Sequence, residues 1–184
     1  MANTELQYKA VTGHCRDIFL KKNTDYGTSW RVLRPISIVD QIYIKVQRIR
    51  TIQELGTQKI SDDVQGEWGA IINYGIIALI QEELAGNEEW DLPTDEAMAL
   101  YDKHTAESFR LMQDKNHDYG EAWRNMSQQS FADLILTKIL RIKQILANDG
   151  QTVISEGMDA NFRDIINYAV FALILQGEQA MAGA

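Results

Sequence analysis

Apolar side chains recur at steps of three and four residues along most of the chain, and this spacing is typical of amphipathic helices. The first stripe of this kind contains Tyr8, Val11, Cys15, Ile18 and Phe19. Segments that alternate apolar and polar residues are few, and the chain contains only two prolines. The pattern therefore predicts an all-α protein.

The sequence also contains an internal duplication. The pattern K-N-x-D-Y-G-x-x-W-R at 22–31 returns at 115–124, an offset of 93 residues. The pattern D-x-x-x-x-K-x-x-R-I returns at the same offset, at 40–49 and 133–142. After one inserted residue, I-I-N-Y also occurs twice, at 71–74 and 165–168. The duplication predicts two pseudo-symmetric repeats that pack into one globular unit.

Each repeat is expected to contain three helices, which gives six main helices in all. We place the first repeat at 1–86, a short polar linker at 87–93 and the second repeat at 94–184. The predicted helices span about 4–23, 37–55 and 63–84, then about 94–116, 130–148 and 158–181. The repeated motif should break the first helix of each repeat, because Gly27 and Gly120 can take positive φ without a Cβ clash.

Composition limits the classes of partner and location. A net charge of −8 argues against a protein held on nucleic acid or an anionic membrane by bulk electrostatics, although a local basic pocket for a small phosphate compound is compatible with it. The apolar-rich run at 71–80 is far shorter than the roughly 20 residues that a spanning helix needs. A single cysteine and the lack of a signal-peptide pattern predict a cytoplasmic protein.

The second helix of each repeat carries charges among apolar residues. At about 100° per residue, Asp40, Lys45 and Arg48 fall on one broad face that also contains Ile44 and Ile52. Their copies in the second repeat are Asp133, Lys138 and Arg141. One interpretation is a structural ion-pair network between helices. The other is a pocket in which the cations hold a phosphate or carboxylate while the aspartate orients them or binds a metal.

The repeated turn motif allows the same two interpretations. Lys22, Asp25, Tyr26, Trp30 and Arg31 could line a ligand site, with rings for stacking on a base and a cation for phosphate. Their copies are Lys115, Asp118, Tyr119, Trp123 and Arg124. Alternatively the aspartate caps the backbone, the tryptophan packs in the core and the cations are solvated.

The third helices differ between the repeats. Asp164, Asn167 and Tyr168 share one helix face, and Tyr74 is the copy of Tyr168. The first repeat instead carries its acid three positions earlier, at Glu67. Together the two copies spell E-x-x-D, and carboxylates spaced in this way can ligate Mg²⁺. An ordinary salt bridge is the alternative for each acid, and a metal would give the repeats unequal sites.

Common catalytic motifs are missing from the sequence. It contains no G-x-x-x-x-G-K-[ST] or G-x-G-x-x-G loop, no cysteine cluster for zinc and no H-E-x-x-H. Cys15 lies on an apolar stripe, which favours a buried small residue over a nucleophile.

The three repeated patterns together resemble the first family of nucleotide modification associated domains, in two tandem copies. That resemblance implies an all-α protein linked by gene context to modification of nucleotides or DNA bases, without an established reaction. By analogy, the helix arrangement and the E-x-x-D remnant are also similar to the MazG-like nucleoside triphosphate pyrophosphatases. The chain departs from those enzymes because it lacks an obvious E-x-x-E partner helix.

The leading hypothesis is a protein that binds a nucleotide or related phosphate compound through the turn motif and second helix of each repeat. An enzyme of this kind would hydrolyse a phosphoanhydride. Glu67 or Asp164, together with Asp40 or Asp133, would hold Mg²⁺, and Lys45 and Arg48 or their copies would bind the phosphate. The rival hypothesis is a non-enzymatic helical scaffold, locked by its repeated ion pairs. The apolar third helices are compatible with a homodimer, and equally with burial between the two repeats.

Overall fold

The computed structural model describes residues 2–60 and 63–183. Six α-helices account for most of this part of the chain, and the described residues contain no strand. The helices are α1 (Ala2–Tyr26), α2 (Pro35–Leu55), α3 (Val64–Glu83), α4 (Thr94–Tyr119), α5 (Gln128–Ala147) and α6 (Met158–Ala182). Short 3-10 helices follow α1 at Ser29–Val32 and α4 at Ala122–Asn125. The prediction of six main helices in two three-helix repeats is confirmed.

The helix ends differ from the predicted ones by a few residues. The first helix of each repeat continues through the aspartate and tyrosine of the repeated motif and ends at its glycine. Gly27 and Gly120 take φ of 62° and 61°, and their N–H groups donate to the carbonyls of Asn23 and Asn116 at 2.8 and 2.9 Å. A left-handed glycine in this position closes the last helical turn. The first half of the motif therefore belongs to the first helix of the repeat. Only the second half of the motif forms the connection to the second helix.

Helices α3 and α6 form the centre of the molecule, where they pack against each other. Helix α2 covers α3, α5 covers α6, and α2 and α5 also meet. Helices α1 and α4 contact each other and both central helices. The buried core between them includes Trp68, Ile72, Ile76, Phe162 and Ile166. The molecule is one globular unit, as predicted.

The apolar faces of α3 and α6 that motivated the homodimer hypothesis are thus covered within the chain, and the homodimer stays a prediction. Among the described residues, no helix is both long and apolar enough to cross a membrane.

A pair of symmetric hydrogen bonds joins the repeats through the core. The Tyr8 hydroxyl of α1 donates to Asn167 Oδ1 of α6 at 2.8 Å, and the Tyr101 hydroxyl of α4 donates to Asn73 Oδ1 of α3 at 2.7 Å. In each case the first helix of one repeat is bonded to the third helix of the other. The repeats therefore interlock rather than sit side by side.

Candidate functional site

In the first repeat, two predicted cations converge on one buried acid. Glu67 on α3 is 7% exposed, and its Oε1 accepts from Arg48 at 2.5 Å while Lys45 Nζ lies 3.3 Å from its Oε2. Both cations come from α2 and are themselves mostly covered. Two cations beside one carboxylate offset the desolvation of all three charges. The arrangement joins α2 to α3.

In the second repeat, the equivalent network is built around a different position. Asp164 on α6 is 6% exposed and pairs with Lys138 of α5 at 2.7 Å and with Lys115 of α4 at 2.5 Å. Partial burial lowers the pKa of Lys115, but the hydrogen bond to Asp164 and the negative charge of Asp164 together outweigh this effect and leave that pKa raised. Lys115 therefore stays charged, and this network ties three helices together.

The shifted position of the acid leaves a different cation without a partner in each repeat. Ala70 occupies the place of Asp164 in the first repeat, so Lys22, the copy of Lys115, has no ion-pair partner among the described residues. In the second repeat Asn161 occupies the place of Glu67, and its Nδ2 donates to the Gly157 carbonyl at 2.8 Å. Arg141, the copy of Arg48, is accordingly exposed and forms no ion pair within the described part of the chain.

The aspartates of the second helices lie away from these networks. Asp40 pairs with Lys143 on α5 at 2.8 Å, and Asp133 pairs with Arg50 on α2 at 3.6 Å. Lys143 also lies over the Tyr43 ring, 4.8 Å from its centroid. These pairs are related by the duplication and cross between the repeats. The structure thus separates Asp40 from the cations with which it shares the helical-wheel face.

The arginine at the end of each motif holds backbone and side chains rather than facing open solvent. Arg31 is 8% exposed, donates to the carbonyls of Glu89 and Asn87 at 3.0 and 2.8 Å, and also contacts the side-chain oxygen of Gln81. It therefore fixes the segment that leads into α4. This role occupies the donors with which Arg31 was predicted to bind phosphate.

Arg124, the copy of Arg31, fixes the start of α1. Its guanidinium donates to the side chains of Glu121, Glu178, Thr4 and Gln7 at 2.5 to 2.9 Å. The same group stacks over the Trp123 ring at 4.4 Å. Each turn motif thus anchors the beginning of the other repeat's first helix, or the segment before it.

Asn167 and its copy use both ends of their side-chain amides inside the fold. Besides accepting from Tyr8, Asn167 donates through Nδ2 to the Ser108 carbonyl at 3.1 Å, and Asn73 donates to the Cys15 carbonyl at 3.2 Å. This geometry gives the repeated asparagine of I-I-N-Y a structural role.

The other predicted residues of the motif are mostly in solvent. Tyr26 is 69% exposed and Tyr119 is 74% exposed. Asp25 is exposed too, and Asp118 lies 3.1 Å from the exposed His117 ring. These four positions border the helix ends without converging on one point.

A cleft of about 920 Å³ lies in the first repeat, between α1, the first 3-10 helix and α3. We call it the first cleft. Its lining is mainly apolar and aromatic, and α6 contributes part of one wall. The predicted site residues that line it are Lys22, Tyr26, Trp30 and Tyr74. Its lining also includes His14, Cys15, Asn23, Ser29, Asp63, Gln65, Gly66, Gly69, Ala70, Asn73 and Ile77.

Cys15 in this cleft is not poised to react. Burial raises the pKa of its thiol to about 12, so the thiol stays protonated at neutral pH. The cleft is therefore suited to binding rather than to attack by cysteine.

The equivalent space in the second repeat is smaller and charged. This second cleft, about 630 Å³ between α4 and α6, is lined by Lys115, Arg163 and Asp164 among other charged residues. Arg163 stands at the position of Gly69 and donates to Glu107 Oε2 at 2.8 Å. Arg163 and Asp164 of the second cleft have no equivalent side chains in the first cleft, where the same positions hold Gly69 and Ala70.

Tyr168 borders this charged region. Burial raises the pKa of its hydroxyl, and the nearby Asp164 raises it further, so the group remains a neutral phenol at physiological pH.

The predicted Mg²⁺ ligands do not meet. Glu67 and Asp164 belong to separate networks, and each is in contact with two cations. Among the described residues, no group of three or more histidine, cysteine, aspartate or glutamate side chains is placed to hold a metal ion. These carboxylates do not provide the oxygen-rich, partner-free site that Mg²⁺ favours.

Sequence reasoning overlooked Asn23, Gly66 and Gly69 as cleft residues. The available signal was the difference between the two copies, since Gly66 and Gly69 correspond to Ala160 and Arg163. A position where one repeat has glycine and the other a long side chain indicates space in the first.

The fold and the clefts define an all-helical protein made of two diverged copies of one three-helix unit, with a ligand-sized cleft in the first copy. The chain belongs to the nucleotide modification associated domain 1 family, whose sequence model matches residues 22–81 and 115–175. The two matches confirm the tandem arrangement, while no similarity to the MazG-like enzymes is shown. No curated protein and no solved structure matches the chain significantly.

Proposed function

We propose that the protein binds a nucleotide, or a closely related phosphate compound, in the first cleft. The observation that carries the proposal is the 920 Å³ volume of this cleft together with the cation Lys22 in its lining. Ligand pockets for small molecules are commonly about 300 to 1,000 Å³, mostly apolar, with a few polar groups that fix orientation. The family description is in keeping with a nucleotide ligand.

The lining suits the two parts of a nucleotide. Trp30, Tyr74 and Tyr26 offer aromatic surfaces on which a base can stack, an interaction worth about 1–3 kcal/mol per base. Lys22 has no ion-pair partner among the described residues, so its ammonium is available to a phosphate. A nucleotide would place its base among the rings and its charge beside this lysine.

Calorimetric titration tests the proposal with a panel of nucleoside mono- and triphosphates, each with and without Mg²⁺. We expect saturable binding of at least one nucleotide, and Lys22→Met should weaken it about tenfold or more, since a hydrogen bond to a charged group contributes about 1.5–3 kcal/mol. Lys21→Met is the matched control, because Lys21 is exposed on the same helix and does not line the cleft. No heat with any ligand at millimolar concentration would contradict the proposal.

Hydrolysis of a nucleoside triphosphate is the enzymatic version of this function, as in the MazG-like reaction. It requires carboxylates that can hold Mg²⁺, whereas Glu67 and Asp164 are both neutralised by cations. This favours binding without phosphoanhydride cleavage. Pyrophosphate release from a triphosphate in the presence of Mg²⁺, abolished by Asp164→Ala in a protein that remains folded, would establish the enzyme instead.

The scaffold hypothesis attributes the repeated charges to stability alone. The ion pairs between repeats, Asp40 with Lys143 and Asp133 with Arg50, are consistent with that role for those four residues. The scaffold has no use for the open first cleft, however. A variant with Lys45→Met and Asp40→Leu that folds and keeps its function in cells, in a protein that binds no nucleotide, would favour the scaffold.

A further inference from the structure

The motif tryptophan and asparagine have different partners in the two repeats. In the second repeat, Trp123 Nε1 donates to Asn116 Oδ1 at 3.1 Å. In the first repeat, Trp30 Nε1 and Asn23 Oδ1 are both buried, and neither has a hydrogen-bond partner within the described residues. The hydrogen bond between the motif tryptophan and asparagine, which forms in the second repeat, is therefore missing in the first.

Both unpaired groups belong to the lining of the first cleft. Asn23 is only 5% exposed, and its Nδ2 is held by Thr94 Oγ1 at 3.0 Å, which leaves Oδ1 as the unused end of the amide. A buried donor or acceptor without a partner is costly, and native proteins rarely leave one unexplained. Trp68 Nε1 is also unpaired, but Trp68 does not line the cleft. Among the described residues that line the first cleft, Trp30 and Asn23 are the ones with a buried group that has no partner.

A second difference concerns the ring that packs on the tryptophan. Trp123 is stacked on Phe171, with centroids 4.2 Å apart and planes within 4°. The copy of Phe171 is Ile77, which lines the first cleft. The nearest ring to Trp30 in its own repeat is Phe19, tilted and 6.1 Å away. The first repeat thus lacks the stacked ring that completes the second.

We propose that the ligand of the first cleft supplies both missing parts. It presents a flat conjugated ring that stacks on Trp30 as Phe171 stacks on Trp123. A separate polar group of the ligand, attached outside the stacked ring and lying in the indole plane, accepts from the Trp30 N–H and donates to Asn23 Oδ1. The inference rests on the proposed function and specifies how the nucleoside is recognised. A nucleoside has both a base that can stack and a sugar hydroxyl that can accept and donate, whereas a sugar phosphate has no conjugated ring.

Two conservative pairs of variants test this recognition by calorimetry. Trp30→Phe keeps a ring and removes the N–H, and Asn23→Leu removes the acceptor. Each should weaken binding of the preferred nucleoside monophosphate at least tenfold. Trp30→Phe should leave the thermal midpoint nearly unchanged or higher, whereas Asn23→Leu also loses the bond to Thr94 and should lower the midpoint slightly. The matched variants Trp123→Phe and Asn116→Leu break an internal bond, so they should lower the thermal midpoint and leave affinity unchanged.

Two further probes address the ring itself. Ribose 5-phosphate should bind at least tenfold more weakly than the preferred nucleoside monophosphate, because it lacks the base. Ile77→Phe should fill the stacking space, so that the folded variant, checked by circular dichroism, no longer binds the nucleotide.

The outcomes separate this inference from the proposed function. If the wild-type protein binds a nucleotide but Trp30→Phe and Asn23→Leu bind it equally well, the recognition pair is wrong and nucleotide binding stands. Equal affinity for ribose 5-phosphate also overturns the inference while leaving a phosphate site. If the wild-type protein binds none of the probes, both proposals fail.

Discussion

At the scale of single residues, the polar side chains of the core join the two repeats. Tyr8 is 1% exposed, and its hydroxyl donates to Asn167, which in turn donates to the backbone of α4. Burial raises the pKa of the Tyr8 hydroxyl, so the group remains a hydrogen-bond donor at all physiological pH values. Its removal leaves a buried acceptor without a partner.

We predict that Tyr8→Phe lowers the free energy of unfolding by about 1–2 kcal/mol, the usual cost of a buried acceptor that loses its donor. Urea denaturation measures this as a lower midpoint with an unchanged slope. Tyr26→Phe is the control and should have no effect, since Tyr26 is 69% exposed and makes no side-chain hydrogen bond within the described residues. An equal midpoint for Tyr8→Phe and wild type would contradict the structural role of the bond.

The paired acids give a second prediction at this scale. Asp164→Asn leaves Lys138, whose side chain is 12% exposed, without a carboxylate, and should cost about 3–5 kcal/mol. Asp133→Asn should cost less than about 1 kcal/mol, because its pair with Arg50 is 3.6 Å long and solvated. Urea denaturation of both variants measures the two losses in the free energy of unfolding. Similar losses would show that burial of an ion pair does not determine its contribution to stability.

Sequence reasoning reached part of the site because helical periodicity is local. It placed Lys45 and Arg48 on one face, and they do contact the same acid. It could not give the contacts of Arg31, since those depend on where the linker returns along the surface. Nor could it distinguish Asn23 from Asn116, because the two asparagines hold the same position of the repeated motif. They differ only in their three-dimensional neighbours.

At the scale of the elements, the crossing of α3 and α6 sets how closely the repeats approach. Gly75 lies at this crossing, and a Cβ added to it would be 2.7 Å from Cγ1 of Ile166, a fully buried side chain. The copy of Gly75 in the second repeat is Ala169. One of the two central helices therefore needs a glycine at this contact.

We predict that Gly75→Ala destabilises the protein. Overpacking a core costs about 1–3 kcal/mol, and replacing a helical glycine by alanine returns at most about 1 kcal/mol, so the net effect is a loss. Gly13→Ala is the control: nothing lies within 4 Å of its added Cβ, and only the helix-propensity gain remains. Opposite shifts of the two thermal midpoints are expected, and a stabilised Gly75→Ala would mean that the crossing has room to relax.

The helices themselves were predictable because their apolar stripes are long and regular, whereas their ends were not. Asn23 and Asp25 suggested a break, but both lie inside α1, because the helix can continue until a residue takes positive φ at Gly27. Side-chain preferences for turns are weaker than the geometry that closes the last helical turn.

At the scale of the whole molecule, the duplication has produced two copies with the same framework and different interiors. Each copy keeps one buried acid for its cations, but at a different position, so Lys22 in one copy and Arg141 in the other have no ion-pair partner in the described part of the chain. The first copy also has glycines where the second has Ala160 and Arg163. The symmetric contacts hold the molecule together, while the asymmetric ones distinguish the two clefts.

This asymmetry predicts that one substitution converts the charge pattern of the first cleft into that of the second. Ala70 occupies the place of Asp164, and Lys22 the place of Lys115, which Asp164 holds at 2.5 Å. Ala70→Asp should therefore give Lys22 a partner and remove it from a bound phosphate. We expect the affinity for the preferred nucleotide to fall about tenfold or more, since the lost contact is worth about 1.5–3 kcal/mol. Stability should be unchanged or slightly higher.

Ala70→Asn is the matched control, because it adds nearly the same volume without the charge. Calorimetry of both variants with the same nucleotide separates electrostatic loss from simple filling of the cleft: the aspartate should weaken binding more than the asparagine, and the difference should shrink as salt is raised, because exposed charges are screened. Equal affinities for the two variants would place the phosphate elsewhere than beside Lys22. The wild-type protein should bind one nucleotide per chain, since Lys115, the copy of Lys22 in the second cleft, is already paired with Asp164.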